Sequence, residues 1–221
     1  YDYTRVAHCR YLPLSGGALA IRQPWRVAAV ILSELYGDQI AALPIPFAGS
    51  LPPEWPTVLK AAEKRINTPL TSSAGRLFDA AAALLGIRGG SVHYEGQAAV
   101  ELELAAGSRA GSLLPYSIGE GDIKQLDCLP TFAAMVNRLQ VCESPAELAA
   151  SFHNTVAAAI VDMVKRIKKE TALRRVALSG GVFQNLRLLS AVEGRLRDEQ
   201  FDVYRHRRVP TNDGGLSLGQ A

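Results

Sequence analysis

The chain has 221 residues, of which 48% are hydrophobic and 20% are charged, and its formal net charge is +3. This composition excludes a disordered chain and is sufficient for the core of one large domain or two small lobes. The small net charge argues against nucleic-acid binding, and no uninterrupted apolar stretch reaches the roughly 18 residues that a membrane-spanning helix needs.

The first two thirds of the sequence predict mostly helices. Apolar residues at helical spacing mark five stretches, at residues 24–36, 54–66, 76–85, 94–104 and 129–139. Between the first two of these, the proline-rich stretch 41–53 predicts a packed connection. Hydroxyl side chains at residues 71–73 are suitable caps for the helix that follows them.

Short strands and one long helix follow in the middle of the sequence. Residues 112–127 predict strand-like pieces around a glycine turn. The sequence Ser-Pro-Ala-Glu at residues 144–147 is a capping box, which predicts that a long helix begins there and runs to Thr171. We interpret the basic cluster at residues 165–169 as the solvated face of this helix.

The last part of the sequence alternates between strands and helices. A strand-like run at residues 175–178 ends at the turn 179–181, and a helix follows over residues 185–200. A second strand at residues 201–205 is followed by another glycine turn at 211–215. This alternation predicts parallel strands, so we expect the two turns to meet at the same edge of the sheet.

The turn at residues 179–181 is a candidate phosphate-binding site. Gly180 and Gly181 have no Cβ, so the backbone can approach an anion, and the N–H groups at the start of the next helix would point towards it. The plainer alternative is a tight turn that needs glycine only for its shape. Asp213 also has a plain alternative, because an aspartate before Gly-Gly is a good helix N-cap.

Cysteine and histidine positions predict no metal site made by this chain alone. The chain has three cysteines and four histidines at irregular spacing, without a Cys-x-x-Cys or His-x-x-x-His pair. The cysteine pattern fits a reducing compartment, and no signal peptide is visible at the start of the sequence. We therefore expect a cytoplasmic protein.

Four stretches of the sequence, in order, closely resemble one protein family. They are SSAGRLFDA at residues 72–80, YEGQAA at 94–99, SGGVFQNLRLL at 179–189 and PTNDGGLSLGQ at 210–220. They resemble the carboxy-terminal carbamoyltransferase domain of the nickel-iron hydrogenase maturation protein HypF. The stretch 13–26 is also similar, although Ser15 and Gln23 stand where that family is expected to have proline and glutamate.

The resemblance implies an α/β fold, namely a helix-rich lobe of the actin/hexokinase-like ATPase fold with a small mixed sheet. It implies that residues 1–221 are the carboxy-terminal lobe of a larger enzyme and that the isolated chain is inactive. Within this lobe we expect a leading helical segment, a second helical part and an α/β part with the glycine turns, at residues 1–70, 71–172 and 173–221.

The resemblance also implies substrates and a partner. Proteins similar to HypF use carbamoyl phosphate and ATP to make carbamoyl adenylate. They transfer the carbamoyl group to the carboxy-terminal cysteine of the acceptor protein HypE, as a step towards a cyanide ligand of the hydrogenase iron. We therefore expect ATP, carbamoyl phosphate and a HypE-like protein to be the partners of the full-length enzyme.

Single residues receive roles from the same resemblance. The residues expected to bind the nucleotide are Gly75, Arg76, Asp79, Gly180, Gly181 and Asn185. The two turn glycines would hold the phosphate of the adenylate, with the asparagine forming a hydrogen bond nearby. Asp79 would accept hydrogen bonds from the ribose hydroxyls.

Asp213 is expected to bind a divalent metal. In the family, this aspartate acts together with two histidines of an earlier segment, and this sequence has no matching histidine pair. A metal there could neutralise phosphate charge during the transfer. Glu95 and His153 receive no role, and we interpret His153 as a partly buried helix residue.

The sequence also allows other interpretations. Arg76 and Asp79 stand three residues apart, so they could simply pair on a helix face. The chain could be a non-catalytic nucleotide-binding or interaction lobe, which the missing histidines would explain. It could also belong to an O-carbamoyltransferase of antibiotic biosynthesis, which shares the fold and the donor.

Overall fold

The computed structural model describes residues 3–220, so residues 1, 2 and 221 of the predicted lobe lie outside the described residues. The strands are β1 (Ala7–Cys9), β2 (Leu12–Pro13), β3 (Leu70–Thr71), β4 (Ser117–Gly119), β5 (Lys124–Asp127), β6 (Arg175–Leu178) and β7 (Asp202–Arg205). The α-helices are α1 (Ala18–Arg22), α2 (Trp25–Tyr36), α3 (Pro46–Gly49), α4 (Trp55–Glu63), α5 (Ala74–Leu84), α6 (Gln97–Ala106), α7 (Leu129–Gln140), α8 (Pro145–Thr171), α9 (Leu186–Asp198) and α10 (Leu216–Gln220). Short 3-10 helices cover Gly37–Ala42, Gly181–Gln184 and Asp213–Gly215.

Helix α5 lies at the centre of the core. It packs against α2 on one side and α6 on another, and its residues from Leu77 to Leu84 are all buried. A helix that is apolar on every side is stable only when it is surrounded, and the alanines of α5 let its neighbours approach closely. The one acidic residue in this buried run, Asp79, is therefore carried into the core.

The long helix α8 joins this core to the last part of the chain. Phe152 of α8 contacts Phe78 edge to face, with ring centroids 5.1 Å apart, and lies 6.0 Å from the ring of Phe132. Val156 and Met163, which belong to the apolar stripe expected from the sequence, are also buried. α8 also packs on α6 and on α9.

Only half of the predicted capping box forms at the start of α8. The Ser144 hydroxyl accepts a hydrogen bond from the backbone N–H of Ala146 at 3.3 Å. The Glu147 carboxylate instead forms an ion pair with Arg109 at 3.3 Å. An arginine from a neighbouring loop thus competes with the helix backbone for this glutamate.

The basic cluster near the end of α8 is more than a solvated face. Lys165 and Arg166 form ion pairs with Glu199 and Glu120. The ammonium group of Lys168 lies 4.5 Å from the centre of the Phe201 ring. The contacts of Lys165 and Lys168 hold α8 against the segment that joins α9 to β7, and the contact of Arg166 holds it against the turn between β4 and β5.

The strands form small sheets, one of which is mixed. β5 pairs parallel with β1 and antiparallel with β4, β2 pairs antiparallel with β3, and β6 pairs parallel with β7. The predicted turn between β4 and β5 and the predicted parallel pair are confirmed. The interpretation of residues 1–70 as helical misses β1, β2 and β3, because strands of two or three residues are too short to show an alternating pattern.

Helix boundaries differ from the predicted ones by a few residues. α6 begins at Gln97 instead of residue 94, because Gly96 before it has a φ of 79° and lies in the left-handed region. The connection at residues 41–53 contains the short helix α3, whose Phe47 is buried.

Between residues 3 and 220, we find no helix that has both the length and the apolar character needed to span a bilayer. The division of the chain at residues 70 and 172 stays a prediction.

Candidate functional site

The glycine turns after β6 and β7 lie side by side. The Gly180 N–H donates to the Thr211 carbonyl oxygen at 2.8 Å, and the Thr211 hydroxyl donates to the Gly180 carbonyl oxygen at 2.8 Å. The His206 Nε2 atom lies 3.0 Å from the Ser179 hydroxyl oxygen. The prediction that the two turns meet at one edge of the sheet is confirmed.

The two glycines of the first turn differ in what they need. Gly180 has a φ of 100°, which L side chains rarely adopt, so the shape of the turn explains this glycine. Gly181 is not among the residues with positive φ, and a Cβ added there would lie 3.7 Å from the Asn212 Cβ, an ordinary contact. Turn geometry therefore accounts for Gly180 and does not account for Gly181.

A cleft of about 470 Å³ brings together the stretches singled out from the sequence. The residues that line it are Ser73, Ala74, Gly75, Arg76, Phe78, Asp79, Glu95, Gly96, Ala99, Val100, Glu103, Gly181, Val182, Gln184, Asn185, Asn212 and Asp213. All predicted site residues except Gly180 are among them. Four stretches that are distant in sequence thus converge on one cavity.

Arg76 and Asp79 form a buried ion pair at the start of α5. The Arg76 Nη1 and Asp79 Oδ2 atoms lie 3.0 Å apart, and the two side chains are 12% and 5% exposed. The pairing that their spacing allows is therefore present, but deep in the cleft wall. These two atoms are not aligned as a hydrogen bond, and both are buried without a hydrogen-bond partner among residues 3–220. The pair keeps unused hydrogen-bonding capacity.

The charge of Asp79 is poorly stabilised where it stands. Burial raises the pKa of Asp79 to about 6, although the positive charge of Arg76 opposes this effect. Removing a carboxylate from water is costly unless it is paired and hydrogen-bonded, and here only the pairing is present. A ligand that donates hydrogen bonds would compensate part of this cost.

Asn185 connects the cleft to the interior through His153. Its side-chain oxygen accepts a hydrogen bond from the Leu188 N–H at 2.8 Å and so caps α9. Its side-chain nitrogen lies 2.9 Å from His153 Nε2, and His153 Nδ1 lies 2.7 Å from the Ala149 carbonyl oxygen. His153 is only 1% exposed, so the interpretation of a partly buried residue is wrong. The interior of the α8 and α9 packing shields it completely.

Asp213 is not the helix cap that its sequence context allows. The side chain of Asn212 takes that role and accepts a hydrogen bond from the Gly214 N–H at 3.2 Å. The Asp213 side chain is exposed at the cleft and has no ion pair or hydrogen bond with the described residues. Its carboxylate is thus available to a ligand.

The described residues form no metal site by themselves. Within residues 3–220, no group of three or more His, Cys, Asp or Glu side chains could hold a metal ion. Burial also raises the pKa of the Cys128 thiol to about 12, so this cysteine stays protonated and is a poor metal ligand or nucleophile. Among the described residues, the exposed carboxylate of Asp213 is suited to act as one ligand of a divalent metal, and it would need ligands from elsewhere to complete the site.

Helix α6 and the glycine before it line one side of the cleft, although the sequence analysis assigned these residues no role in the site. Gly96, Ala99, Val100 and Glu103 line the cavity. Their spacing of three and four residues is that of one helix face, which could have identified them. The Glu103 carboxylate also accepts a hydrogen bond from the backbone N–H of Arg187 at 2.9 Å, so it ties α6 to α9.

Comparisons with known proteins agree on one family. Residues 1–220 match the family model described as "Carbamoyltransferase, Kae1-like Domain, second subdomain". The chain is 40% identical over 225 residues to "Carbamoyltransferase HypF" of Rhodobacter capsulatus, and the match covers 99% of the chain and 28% of the relative. The chain therefore spans little more than a quarter of the length of this relative.

Two solved structures share the fold. Full-length HypF in its phosphate- and nucleotide-bound form has a TM-score of 0.91 and 36% identity, over 100% of this chain and 28% of that one. HypF of T. kodakarensis has a TM-score of 0.85 and 31% identity, over 99% of this chain and 29% of that one. These matches confirm the predicted α/β lobe of the ATPase-like fold. The chain belongs to the HypF carbamoyltransferase family, in which it corresponds to the second subdomain of the Kae1-like domain.

Proposed function

We propose that this chain forms one side of the active site of an ATP-dependent carbamoyltransferase. The observation that carries the proposal is the convergence of the family's sequence motifs on a single cleft. Its volume of about 470 Å³ lies in the range of about 300–1,000 Å³ that is typical of small-molecule sites. The similar proteins are named carbamoyltransferases, and one similar structure is described as phosphate- and nucleotide-bound.

The cleft is proposed to bind carbamoyl adenylate. Asp79 would accept hydrogen bonds from the ribose hydroxyls through its carboxylate, which lines the cleft and is not fully hydrogen-bonded by the described residues. Gly75 and Arg76 would border the nucleotide beside it. On the opposite side, Gly181 would let the backbone approach the phosphate, with Gly180 shaping the turn and Asn185 donating nearby.

The proposed acceptor is the carboxy-terminal cysteine of a HypE-like protein. The cysteine sulfur bonds to the carbamoyl carbon, and the bond from that carbon to the AMP phosphate oxygen breaks. AMP leaves with the electron pair, and the thiol proton is released. Carbamoyl phosphate and ATP supply the adenylate in the full-length enzyme, and the product would serve cyanide-ligand synthesis in the maturation of nickel-iron hydrogenase.

Asp213 is proposed to give one carboxylate ligand to a divalent metal. Because no group of three or more metal-binding side chains exists within residues 3–220, further ligands would have to be supplied by the phosphate, by water or by a part of the protein outside this chain. When bound, such a metal would neutralise phosphate charge.

The three cysteines are all free thiols, which is compatible with the expected cytoplasmic location.

The test is carbamoyl transfer by the full-length protein that contains this chain. With radiolabelled carbamoyl phosphate, ATP and a HypE-like acceptor, we expect label on the acceptor cysteine. Asp213→Ala should abolish the transfer, and Asp79→Asn should reduce it at least about tenfold, the value of about 1.4 kcal/mol in the transition state. Asp122→Ala is the matched control, because Asp122 is exposed and does not line the cleft.

Other outcomes distinguish the alternatives. Label on a small-molecule hydroxyl instead of the protein thiol would indicate an O-carbamoyltransferase. Nucleotide binding without any transfer would indicate a non-catalytic lobe. Unchanged transfer by Asp213→Ala would contradict the role given to this carboxylate.

A further inference from the structure

The buried pair His153 and Asn185 has a defined arrangement of protons. The Ala149 carbonyl can only accept a hydrogen bond, so His153 carries its proton on Nδ1, the atom that lies 2.7 Å away. Burial lowers the pKa of His153 to about 4, so the ring is neutral near pH 7. The Nε2 atom of a neutral ring with this tautomer is an acceptor. The Asn185 nitrogen, 2.9 Å away, must therefore donate to it.

The other end of the Asn185 amide is fixed independently. Its oxygen accepts from the Leu188 N–H at 2.8 Å, because only an acceptor can cap the start of α9. Both ends of the amide thus require the same orientation, with the nitrogen towards His153. Reversing the amide would place its oxygen against the Nε2 lone pair and its N–H₂ group against a backbone donor.

This arrangement leaves one N–H of Asn185 unused at the cleft. An amide nitrogen carries two hydrogens, and His153 takes one of them. The second has no hydrogen-bond partner among the described residues, although the Asn185 side chain is buried and lines the cleft. A buried donor without a partner is unfavourable until an acceptor arrives.

His153 also contacts helix α5, which lines another side of the cleft. Its ring meets the Phe78 ring edge to face, with centroids 5.3 Å apart. Phe78 lines the cleft and stands on α5 between Arg76 and Asp79. The imidazole therefore lies behind both sides of the cavity.

We propose that His153 is a positioning residue of the cleft. Its Nε2 atom holds the Asn185 amide so that one N–H remains for an anionic oxygen of the bound substrate, of the phosphate or acyl-phosphate class. The proposal rests on the proposed function and assigns to Asn185 the role of a donor. His153 does not contact the substrate and acts only through Asn185.

Two substitutions of His153 test the roles of its two ring nitrogen atoms separately. In His153→Gln, the longer amide can place its oxygen near the position of Nε2 and so keep an acceptor for Asn185. In His153→Asn, the shorter amide can replace Nδ1 towards Ala149 but does not reach Asn185. Both substitutions remove the ring and its contact with Phe78, so they share the packing loss.

The test of this role is binding of a non-hydrolysable ATP analogue to the full-length protein, measured by calorimetry. We expect His153→Asn to weaken binding about tenfold, as the loss of one hydrogen bond to a charged group implies, and His153→Gln to stay within about threefold of the wild type. Thr155→Val is the control. It removes the buried hydrogen bond from the Leu114 N–H elsewhere on α8 and should lower thermal stability without changing analogue binding.

A double variant tests whether the effect passes through Asn185. Asn185→Ser keeps a capping hydroxyl for α9 but has no amide nitrogen. If the proposal holds, His153→Asn weakens binding no further in the Asn185→Ser background. Equal losses in the Gln and Asn variants, or a persistent tenfold loss in the Ser background, would overturn it.

Failure of this proposal differs from failure of the proposed function. A wild-type protein that binds the analogue but does not transfer the carbamoyl group contradicts the transferase function, while the binding comparison still decides the role of His153. A wild-type protein that does not bind the analogue overturns both.

Discussion

Two walls of the cleft bury polar side chains in opposite ways. The α5 wall, formed by Arg76 and Asp79, contains an ion pair whose facing atoms have no aligned hydrogen bond. The α9 wall, formed by Asn185 with His153 behind it, contains a chain of well-formed hydrogen bonds. Both walls cost desolvation energy, but only the α9 wall is largely compensated by the protein itself.

This difference in hydrogen bonding distinguishes a preformed part of the cleft from a part that lacks hydrogen-bond partners. A satisfied polar network rigidifies its surroundings, whereas a partly satisfied one is costly to maintain without a ligand. We therefore regard the α9 wall as the fixed side of the cleft. On the α5 wall, the missing hydrogen bonds are those that a substrate could supply.

The largest effect is expected from breaking the α5 wall. Arg76→Met leaves the Asp79 carboxylate buried without its cation, which should cost about 3–5 kcal/mol of unfolding free energy at pH 7. Urea unfolding of the chain measures this loss. Asp79 can take up a proton instead of remaining a buried charge, and this limits the size of the stability loss. The loss should therefore shrink below pH 6, near the pKa of about 6 that burial already gives this group.

Arg166→Met is the matched control for that change. Arg166 pairs with Glu120, and their side chains are 39% and 76% exposed. Exposed ion pairs contribute at most about 1 kcal/mol, so this variant should lose much less than Arg76→Met. Similar losses in the two variants would show that burial does not distinguish the α5 pair.

The pH dependence of stability should differ in sign between the walls. The pKa of His153 falls from 6.5 to about 4 on folding, so the unfolded chain binds its proton first as the pH drops. The stability that His153 contributes is therefore lost between about pH 6.5 and pH 4. The pKa of Asp79 rises from 3.8 to about 6, so the folded chain binds that proton first and gains stability over nearly the same range.

Single variants should uncover these opposing effects. Relative to the wild type, His153→Gln should gain about 3 kcal/mol between pH 6.5 and pH 4, and Asp79→Asn should lose about 2 kcal/mol between pH 6 and pH 4. Urea unfolding at several pH values gives both difference curves. Curves of the same sign would contradict the assigned protonation states.

A smaller effect should separate the two turn glycines. Gly180→Ala forces an L side chain into a backbone conformation, φ 100° and ψ 156°, that is essentially restricted to glycine, and should cost about 1–3 kcal/mol of unfolding free energy. Gly181→Ala meets only an ordinary contact, so its stability should stay within about 0.5 kcal/mol of the wild type. Because Gly181 lines the cleft, its added methyl group should instead weaken binding of an ATP analogue. The opposite pattern would assign the phosphate contact to Gly180.

The sequence predicts the long and periodic elements well. α2, α8 and the parallel pair of β6 and β7 carry strong patterns of apolar residues, and the structure contains them with small shifts at their ends. β1, β2 and β3 could not be predicted, since strands of two or three residues depend on partners far along the chain.

The cleft could be predicted in outline but not in detail. Turns that follow parallel strands must meet, so the proximity of Gly180 and Thr211 follows from topology. The bond between His153 and Asn185 joins residues 32 positions apart and depends on how α8 packs against α9. No local pattern encodes such a contact, which is why His153 looked like an ordinary helix residue.

The smallest expected effect compares a hydrogen-bonded and an unpartnered polar side chain within one turn. Asn212 caps the last 3-10 helix through the Gly214 N–H, so Asn212→Ala should lose about 1 kcal/mol of stability, or show the equivalent local loss in hydrogen exchange. Asp213→Ala removes an exposed side chain that has no hydrogen-bond or ion-pair partner among the described residues, so its stability should change by less than about 0.5 kcal/mol. Carbamoyl transfer should respond in the reverse order, because the satisfied residue shapes the turn, whereas the unsatisfied one is proposed to bind the ligand. A stability loss with Asp213→Ala as large as that with Asn212→Ala would mean that the aspartate stabilises the turn, and its proposed role as a ligand-binding carboxylate would lose its structural basis.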